Sequence, residues 1–191
     1  MDYDEIPEPL GVVPIDGRGS LPFALVHGES LVAAASWALT PAGAKLFDYG
    51  VSFAGVQDAE QMLVIHDPLC PLTPAAFIEE AIEESRRTGA VVVGVRPVTD
   101  TVKEYDAGQD PTPGRLGGTL DRDELMCVTS PVVLPASVVA ALDDLVLDDL
   151  AELVADLSRR FPVRHLPAPA LGRRIVDEDD LDVLSAFSAT D

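Results

Sequence analysis

Residues 62–106 read MLVIHDPLCPLTPAAFIEEAIEESRRTGAVVVGVRPVTDTVKEYD, and residues 118–131 read GTLDRDELMCVTSP. Met62 to Ile65 is a short apolar run, the length and composition of a buried strand. Thr73-Pro74 then opens a helix, with Thr73 as N-cap and Pro74 at the first helical position. Phe77, Ile78, Ala81 and Ile82 form its apolar face, and Gly89 ends it. Ala90 to Val95 is a continuous β-branched run, as in a strand covered on both faces. Polar residues follow each strand: His66 and Asp67 after the first, Thr99 to Lys103 after the second. In open α/β sheets ligands sit outside the carboxyl ends of the strands. These clusters are therefore the first place to look for chemistry.

Working outward, Leu10 to Ile15 is an apolar run stopped by Asp16-Gly17-Arg18-Gly19, which reads as strand then turn. Glu29 to Leu39 reads as a helix, with Ser30 ahead of the apolar residues and Pro41 beyond them. Residues 40–61 have no clear period, and Gly50 to Ala54 reads as a possible strand. Leu134 to Leu157 carries leucines at helical spacing, as two helices broken near Asp143-Asp144. Val163 to Leu166 suits a last strand. Asp177 to Phe187 suits a terminal helix with its acids in the first turn, where the dipole favours them. Residues 1–9 are acidic and expected to be loose. Residues 104–118 are rich in Gly, Pro and Asp and lack a core pattern, which predicts a projecting loop or hairpin. Alternating strands and helices predict one α/β domain over residues 1–191, built on a mainly parallel sheet.

The chain has 191 residues, 47% hydrophobic but only 5% aromatic, so the core must be built from Val, Leu, Ile and Ala. Thirty-three acids against 13 bases give a net charge of −20. That field opposes nucleic acid, anionic lipid and any polyphosphate without a local cationic cradle. It also serves as a plain solubility device. Cys70 and Cys127 are too few for a disulfide framework and lack metal-ligand spacing. The start, MDYDEIPEPLG, has neither the cationic flank nor the apolar run of a signal peptide. No stretch of about eighteen apolar residues suggests a membrane span. A soluble, cytoplasmic protein is expected.

Asp67 follows a buried strand. A carboxylate there can bind a ribose or polyol hydroxyl, hold Mg²⁺, or simply cap loop amides. His66 reads as a packed or hydrogen-bonded histidine and not as a base. Thr101, Lys103 and Arg122 offer a hydroxyl, an ammonium and a guanidinium, a set that suits a phosphate monoester if they converge. Otherwise Lys103 and Arg122 are solvated surface cations.

The order and spacing of these pieces resemble the 2-C-methyl-D-erythritol 4-phosphate cytidylyltransferase family. Its matching stretches read roughly V-x-V-H-D-A-A-R-P, P-V-x-D-T-[IVM]-K and V-D-R. The resemblance implies a Rossmann-like nucleotidyltransferase sandwich whose segment 104–120 is a dimerisation arm. It implies that Asp67 contacts substrate and metal. It also implies that Thr101 and Arg122 reach across a homodimer to hold the acceptor's phosphate. Arg174, in GRRIVDEDDL, falls where the family carries a Lys, keeping the charge but changing its geometry.

The nucleotide side departs from the family. There a strand leads into A-A-G-x-G-x-R-M-G and then P-K, whose amides and cations hold the triphosphate. Here the stretch is VVPIDGRGSLPFALV. Gly17, Arg18 and Gly19 remain as a remnant phosphate loop, but Asp16 adds a carboxylate and the loop is shorter. Phe23 stands where the Lys belongs, Cys70 replaces the Arg of H-D-A-A-R-P, and AGVQDAEQ lacks the Arg and Ser of the base-reading stretch. Each lost charge-assisted contact costs on the order of 2 kcal/mol. The favoured reading is therefore a catalytically impaired family member that keeps its acceptor pocket and arm. It would act as a homodimer, or paired with an intact relative, and bind a sugar-alcohol phosphate. The alternative is an active enzyme using CTP and Mg²⁺. A third is an unrelated α/β protein.

Overall fold

The computed structural model describes residues 7–47, 53–108 and 114–189. In chain order the elements are β1 (Leu10–Val12), β2 (Leu25–Val26), β3 (Glu29–Ser30), α1 (Leu31–Leu39) and β4 (Lys45–Leu46). Then come α2 (Phe53–Asp58), β5 (Leu63–Ile65), α3 (Ala75–Thr88) and β6 (Val91–Pro97). After these lie β7 (Lys103–Asp106), β8 (Arg115–Thr119) and β9 (Met126–Leu134). The chain closes with α4 (Ala136–Ala141), α5 (Leu150–Arg160), β10 (Val163–Pro167) and α6 (Glu178–Ser188).

Period-two alternation in the apolar runs decides the layers. Six strands form one sheet in the order β10-β6-β9-β5-β1-β4. Leu63 and Ile65, Val91, Val93 and Val95, and Val132 and Leu134 face one side, against residues of α2, α4 and α5. Val64, Val92 and Val133 face the other, against Leu39 of α1 and Ile78, Ala81 and Ile82 of α3. The sheet is thus buried on both faces, as its β-branched composition requires. The pairings β1/β4, β1/β5 and β10/β6 are parallel. A smaller core of Val26, Leu31, Leu69, Ile175, Leu181 and Leu184 ties the β2–β3 hairpin to α6.

Strand β9 is the exception. It lies between β5 and β6 and runs antiparallel to both. The sequence reading places no element over these residues, and Pro131 lies within the strand although central strands disfavour proline. The fold accommodates it at a register shift opposite Val93 to Val95. Gly94 sits there, and a Cβ on it would come within 2.5 Å of the Ser130 carbonyl oxygen.

Other boundaries differ too. Phe53 and Ala54 belong to helix α2, not to a strand; residues 50–52 of that expected strand lie outside the described residues. Helix α3 begins at Ala75 with Pro74 as its N-cap, and Thr73 instead donates its hydroxyl to the Cys70 carbonyl at 2.9 Å. Glu29 and Ser30 are strand β3, and Ser30 Oγ caps α1. The expected arm contains a two-stranded ribbon of β7 and β8, every residue of which is exposed; its residues 109–113 lie outside the described residues. No helix among the described residues is long and apolar enough to cross a membrane.

The segment between α4 and α5 is not helical. It runs as a strap over the turn that follows β1. Leu147 is buried, and the Asp148 backbone presses on Gly17, where a Cβ would lie 2.6 Å from the Asp148 carbonyl oxygen. Gly17 also has φ +74°. Gly17→Ala should therefore cost about 1–3 kcal/mol of stability, from left-handed backbone and steric contact together. Urea denaturation checks this; an unchanged midpoint would mean the strap does not press on the turn.

Candidate active site

Asp67 leaves β5 at the carboxyl edge of the sheet and is 1% exposed. Such burial of a carboxylate demands charged partners, and two guanidiniums supply them. Arg18 Nε donates to Asp67 Oδ1 at 2.8 Å, and Arg174 Nε donates to Oδ2 at 2.9 Å. The Leu69 amide adds a third bond to Oδ1 at 3.0 Å, and the Asp67 amide donates to Ser130 Oγ at 2.6 Å. Burial would raise the Asp67 pKa, but Arg18 and Arg174 outweigh it and hold the carboxyl below its ordinary range. The group is a carboxylate clasped between two cations.

Arg18 is the unexpected member. A remnant phosphate loop would turn this residue toward solvent or an anion. Instead it is 6% exposed and turned inward. Its Nη1 donates to the Leu147 carbonyl in the strap at 3.0 Å and to its own turn at the Asp16 carbonyl. Gly17 and Gly19 flank it with positive φ. Both glycines let the chain turn, and Gly17 also lets the strap approach. Phe23, at the position of the missing Lys, is exposed.

Asp67 is also a poor magnesium ligand in this setting. Mg²⁺ binds through carboxylate oxygens and keeps several waters, whereas both Asp67 oxygens are held by guanidiniums. No cluster of three or more His, Cys, Asp or Glu among the described residues could hold a metal ion. The donor set does not fit the ion.

Arg174 leads from this buried clasp to a cleft of about 550 Å³ at the ends of β6 and β9. Arg96, Arg173 and Thr129 line it too, with Asp100 and Asp149 opposing their charge. Arg96 Nη1 donates to the Ala168 carbonyl at 2.9 Å, and Arg173 Nη2 to Asp180 Oδ1 at 2.5 Å. Thr101 and Arg122 line a separate, more open hollow beside the ribbon. Arg122 Nη1 donates to the Thr99 carbonyl at 2.7 Å, and Lys103 Nζ to Thr119 Oγ1 at 3.0 Å. Within one chain, then, Asp67 and Arg174 are joined, while Thr101, Lys103 and Arg122 stand apart. Thr99 borders the cleft, so Arg122 is tethered to its rim. The cleft residues Arg96, Arg173 and Thr129 do not stand out in the sequence. The only signal for Arg96 is its place at the end of the buried run of β6.

His66 and Cys70 complete the buried floor. His66 is fully buried and its ring nitrogens have no hydrogen-bond partner among the described residues. Burial lowers its pKa to about 4, against a smaller opposing pull from Asp67. It is a packed neutral imidazole, as the sequence suggested. Burial pushes the Cys70 thiol up to about 12, with Asp67 adding to the effect. Cys70 therefore cannot replace the guanidinium whose place it takes.

The family model for 2-C-methyl-D-erythritol 4-phosphate cytidylyltransferase matches residues 50–157. The chain belongs to this family. Its sequence is 30% identical over 138 residues to the cytidylyltransferase of Syntrophus aciditrophicus, covering 69% of this chain and 56% of the relative. It is 37% identical over 138 residues to that of Rhodococcus opacus, covering 70% and 57%. The chain thus spans little more than half the length of these curated relatives. The fold matches the crystal structure of the enzyme from Thermus thermophilus with a TM-score of 0.68 at 21% identity, over 95% of this chain and 99% of that one. The nucleotidyltransferase-type α/β fold read from sequence is the fold observed.

The neutral, unpartnered His66 makes stability depend on pH. Its folded pKa of about 4 lies below the ordinary value of 6.5, so the unfolded chain binds more protons between these values. Stability contributed by the neutral ring is full above pH 6.5 and falls as pH drops toward 4, by roughly 3 kcal/mol in all. Comparing urea midpoints at about pH 7 and about pH 4.5 for the native chain and His66→Leu should show the variant losing much less. Equal losses would refute a buried neutral histidine.

Proposed function

We propose that this member of the cytidylyltransferase family is catalytically impaired. It keeps the acceptor-side cleft and the ribbon arm, while its nucleotide side is shut. The observation that carries the reading is the Arg18–Asp67–Arg174 clasp. A nucleotidyl transfer needs cations and amides aimed at the phosphates, because catalysis of this type rests on positioning and charge stabilisation. In this chain Arg18, the cation of the loop, is spent on Asp67 and on the strap carbonyl of Leu147. Phe23 and Cys70 supply no charge. Asp16, in the turn itself, and Asp148, in the strap laid over Gly17, add negative charge that repels a triphosphate.

The acceptor side reads differently. Arg96, Arg173 and Arg174 put three guanidiniums against the two carboxylates of Asp100 and Asp149 in the 550 Å³ cleft, in a molecule of net charge −20. That supports binding of a sugar-alcohol phosphate, the acceptor class in the family's name. The ribbon of β7 and β8 would pack against a second copy. Tyr105 and Leu116, cross-strand partners in the ribbon, are 66% and 72% exposed, which is costly unless something covers them.

Titration calorimetry with CTP and excess Mg²⁺ tests the nucleotide half. The expected result is no binding below the millimolar range and no pyrophosphate release with 2-C-methyl-D-erythritol 4-phosphate. A low-micromolar dissociation constant, or acceptor-dependent pyrophosphate release, would overturn the reading in favour of an active enzyme.

Light scattering at tens of micromolar tests the arm. A dimer that Tyr105→Ser with Leu116→Ser converts to monomer is expected. A native chain already monomeric would remove the arm from the proposal.

A further inference from the structure

The two cysteines sit in opposite circumstances. Cys70 is buried with its thiol pushed up to about 12, while Cys127 is exposed. Cys127 lines the 550 Å³ cleft and pairs in register with Arg96 across β9 and β6. Directly opposed residues in a sheet hold their Cβ atoms about 5 Å apart. The Arg96 guanidinium is itself anchored by its bond to the Ala168 carbonyl. Arg174 opens into the same cleft, and the single carboxylate of Asp67 leaves the Arg18–Arg174 pair with a surplus positive charge; Asp100 and Asp149 also line the cleft, and the arginines must outweigh them. Thr129, two residues along β9, also lines the cleft; it is 2% exposed and its Oγ1 has no hydrogen-bond partner among the described residues. An accessible thiol beside fixed cations is the setting in which cysteines react selectively.

We propose that Cys127 is a thiol-exchange site for low-molecular-weight disulfides that carry carboxylates, with Arg96 and Arg174 drawing the anion in. The Cys127 thiolate attacks one sulfur of the disulfide. A Cys127–sulfur bond forms, the original sulfur–sulfur bond breaks, and the other half leaves as a thiolate. The proton of Cys127 passes to solvent. Cys127 is oxidised to a mixed disulfide, and the small disulfide is reduced by one thiol equivalent, so no further oxidant is needed. The adduct occupies the cleft and closes it to other anions. This assignment rests on the cleft itself and holds whether or not the nucleotide side is active.

The test measures reaction rates of the full chain with 5,5′-dithiobis(2-nitrobenzoate), a dianion, and with neutral 2,2′-dithiodipyridine, at low and high salt. Local attraction predicts that the dianion's rate falls several-fold from about 0.02 M to about 0.5 M salt while the neutral rate barely moves. If the net charge dominates instead, the dianion's rate rises with salt, and the proposal fails. Arg96→Gln should slow the dianion about threefold or more and spare the neutral reagent; equal effects on both reagents, or none, would overturn the role of Arg96. Cys127→Ser should abolish the reaction in the folded chain. Persistent release in that variant would place the chemistry at Cys70 and overturn the assignment. The salt comparison on the native chain stands even if a variant fails to fold.

Discussion

A carboxylate that is 1% exposed cannot remain charged without partners, and Asp67 has two. Taking one away would leave an uncompensated charge in the interior, a change worth about 3–5 kcal/mol for a fully buried pair. Arg18 shares that burial; Arg174 is more than a third exposed at its side chain, so solvent weakens its share. The clasp joins the turn after β1, the end of β5 and the segment before α6. Those pieces come from three distant parts of the chain. Through Arg18 Nη1 it also reaches the strap before α5. The carboxyl edge of the sheet is therefore organised around one ion cluster. Arg18 and Arg174 hold that edge together, and the role of each follows from how far its guanidinium is committed.

The consequence for chemistry is a division of the edge into two sides. On the β1 side Arg18 and Gly17 serve internal packing, with the strap laid over them. On the β6 and β9 side three arginines border an open cleft. The net charge of −20 makes the contrast sharper, because the long-range field repels anions and only a local cluster can reverse it. Family membership and fold are shared with cytidylyltransferases, but fold alone does not carry an activity.

Most of the sheet was legible because its runs are short, β-branched and closely punctuated. Met62–Ile65 and Ala90–Val95 can hardly be anything but buried strands, and the helix between them carries its own face and its glycine stop. Two kinds of feature were not legible. The strand β9 contains Pro131 and a register shift, and its pairing is set by β5 and β6, not by local pattern. The inward turn of Arg18 depends on Asp67, 49 residues away. A local reading of Asp16-Gly17-Arg18-Gly19 offers no sign of which way the guanidinium points. For the same reason Asp67 looked suited to a polyol, a metal or loop amides; it does accept from the Leu69 amide, but its charge is met by two arginines.

The placement of β9 has a consequence for how the molecule comes together. Strands β4, β1 and β5 form one parallel block, and β6 with β10 forms another. Among the described residues the only hydrogen-bonded link between the blocks is β9, paired with β5 on one side and β6 on the other. A chain emerging from the ribosome can therefore assemble its first block and α3 early, but β6 must wait for a neighbour that is made only after the ribbon. Until Leu134 has been added, the apolar edges of β5 and β6 stand open. Such unpaired edges are where a growing chain is most exposed to association with others. The acid-rich surface then has a protective role before the fold is finished, keeping nascent chains apart during the interval in which the sheet is still in two pieces.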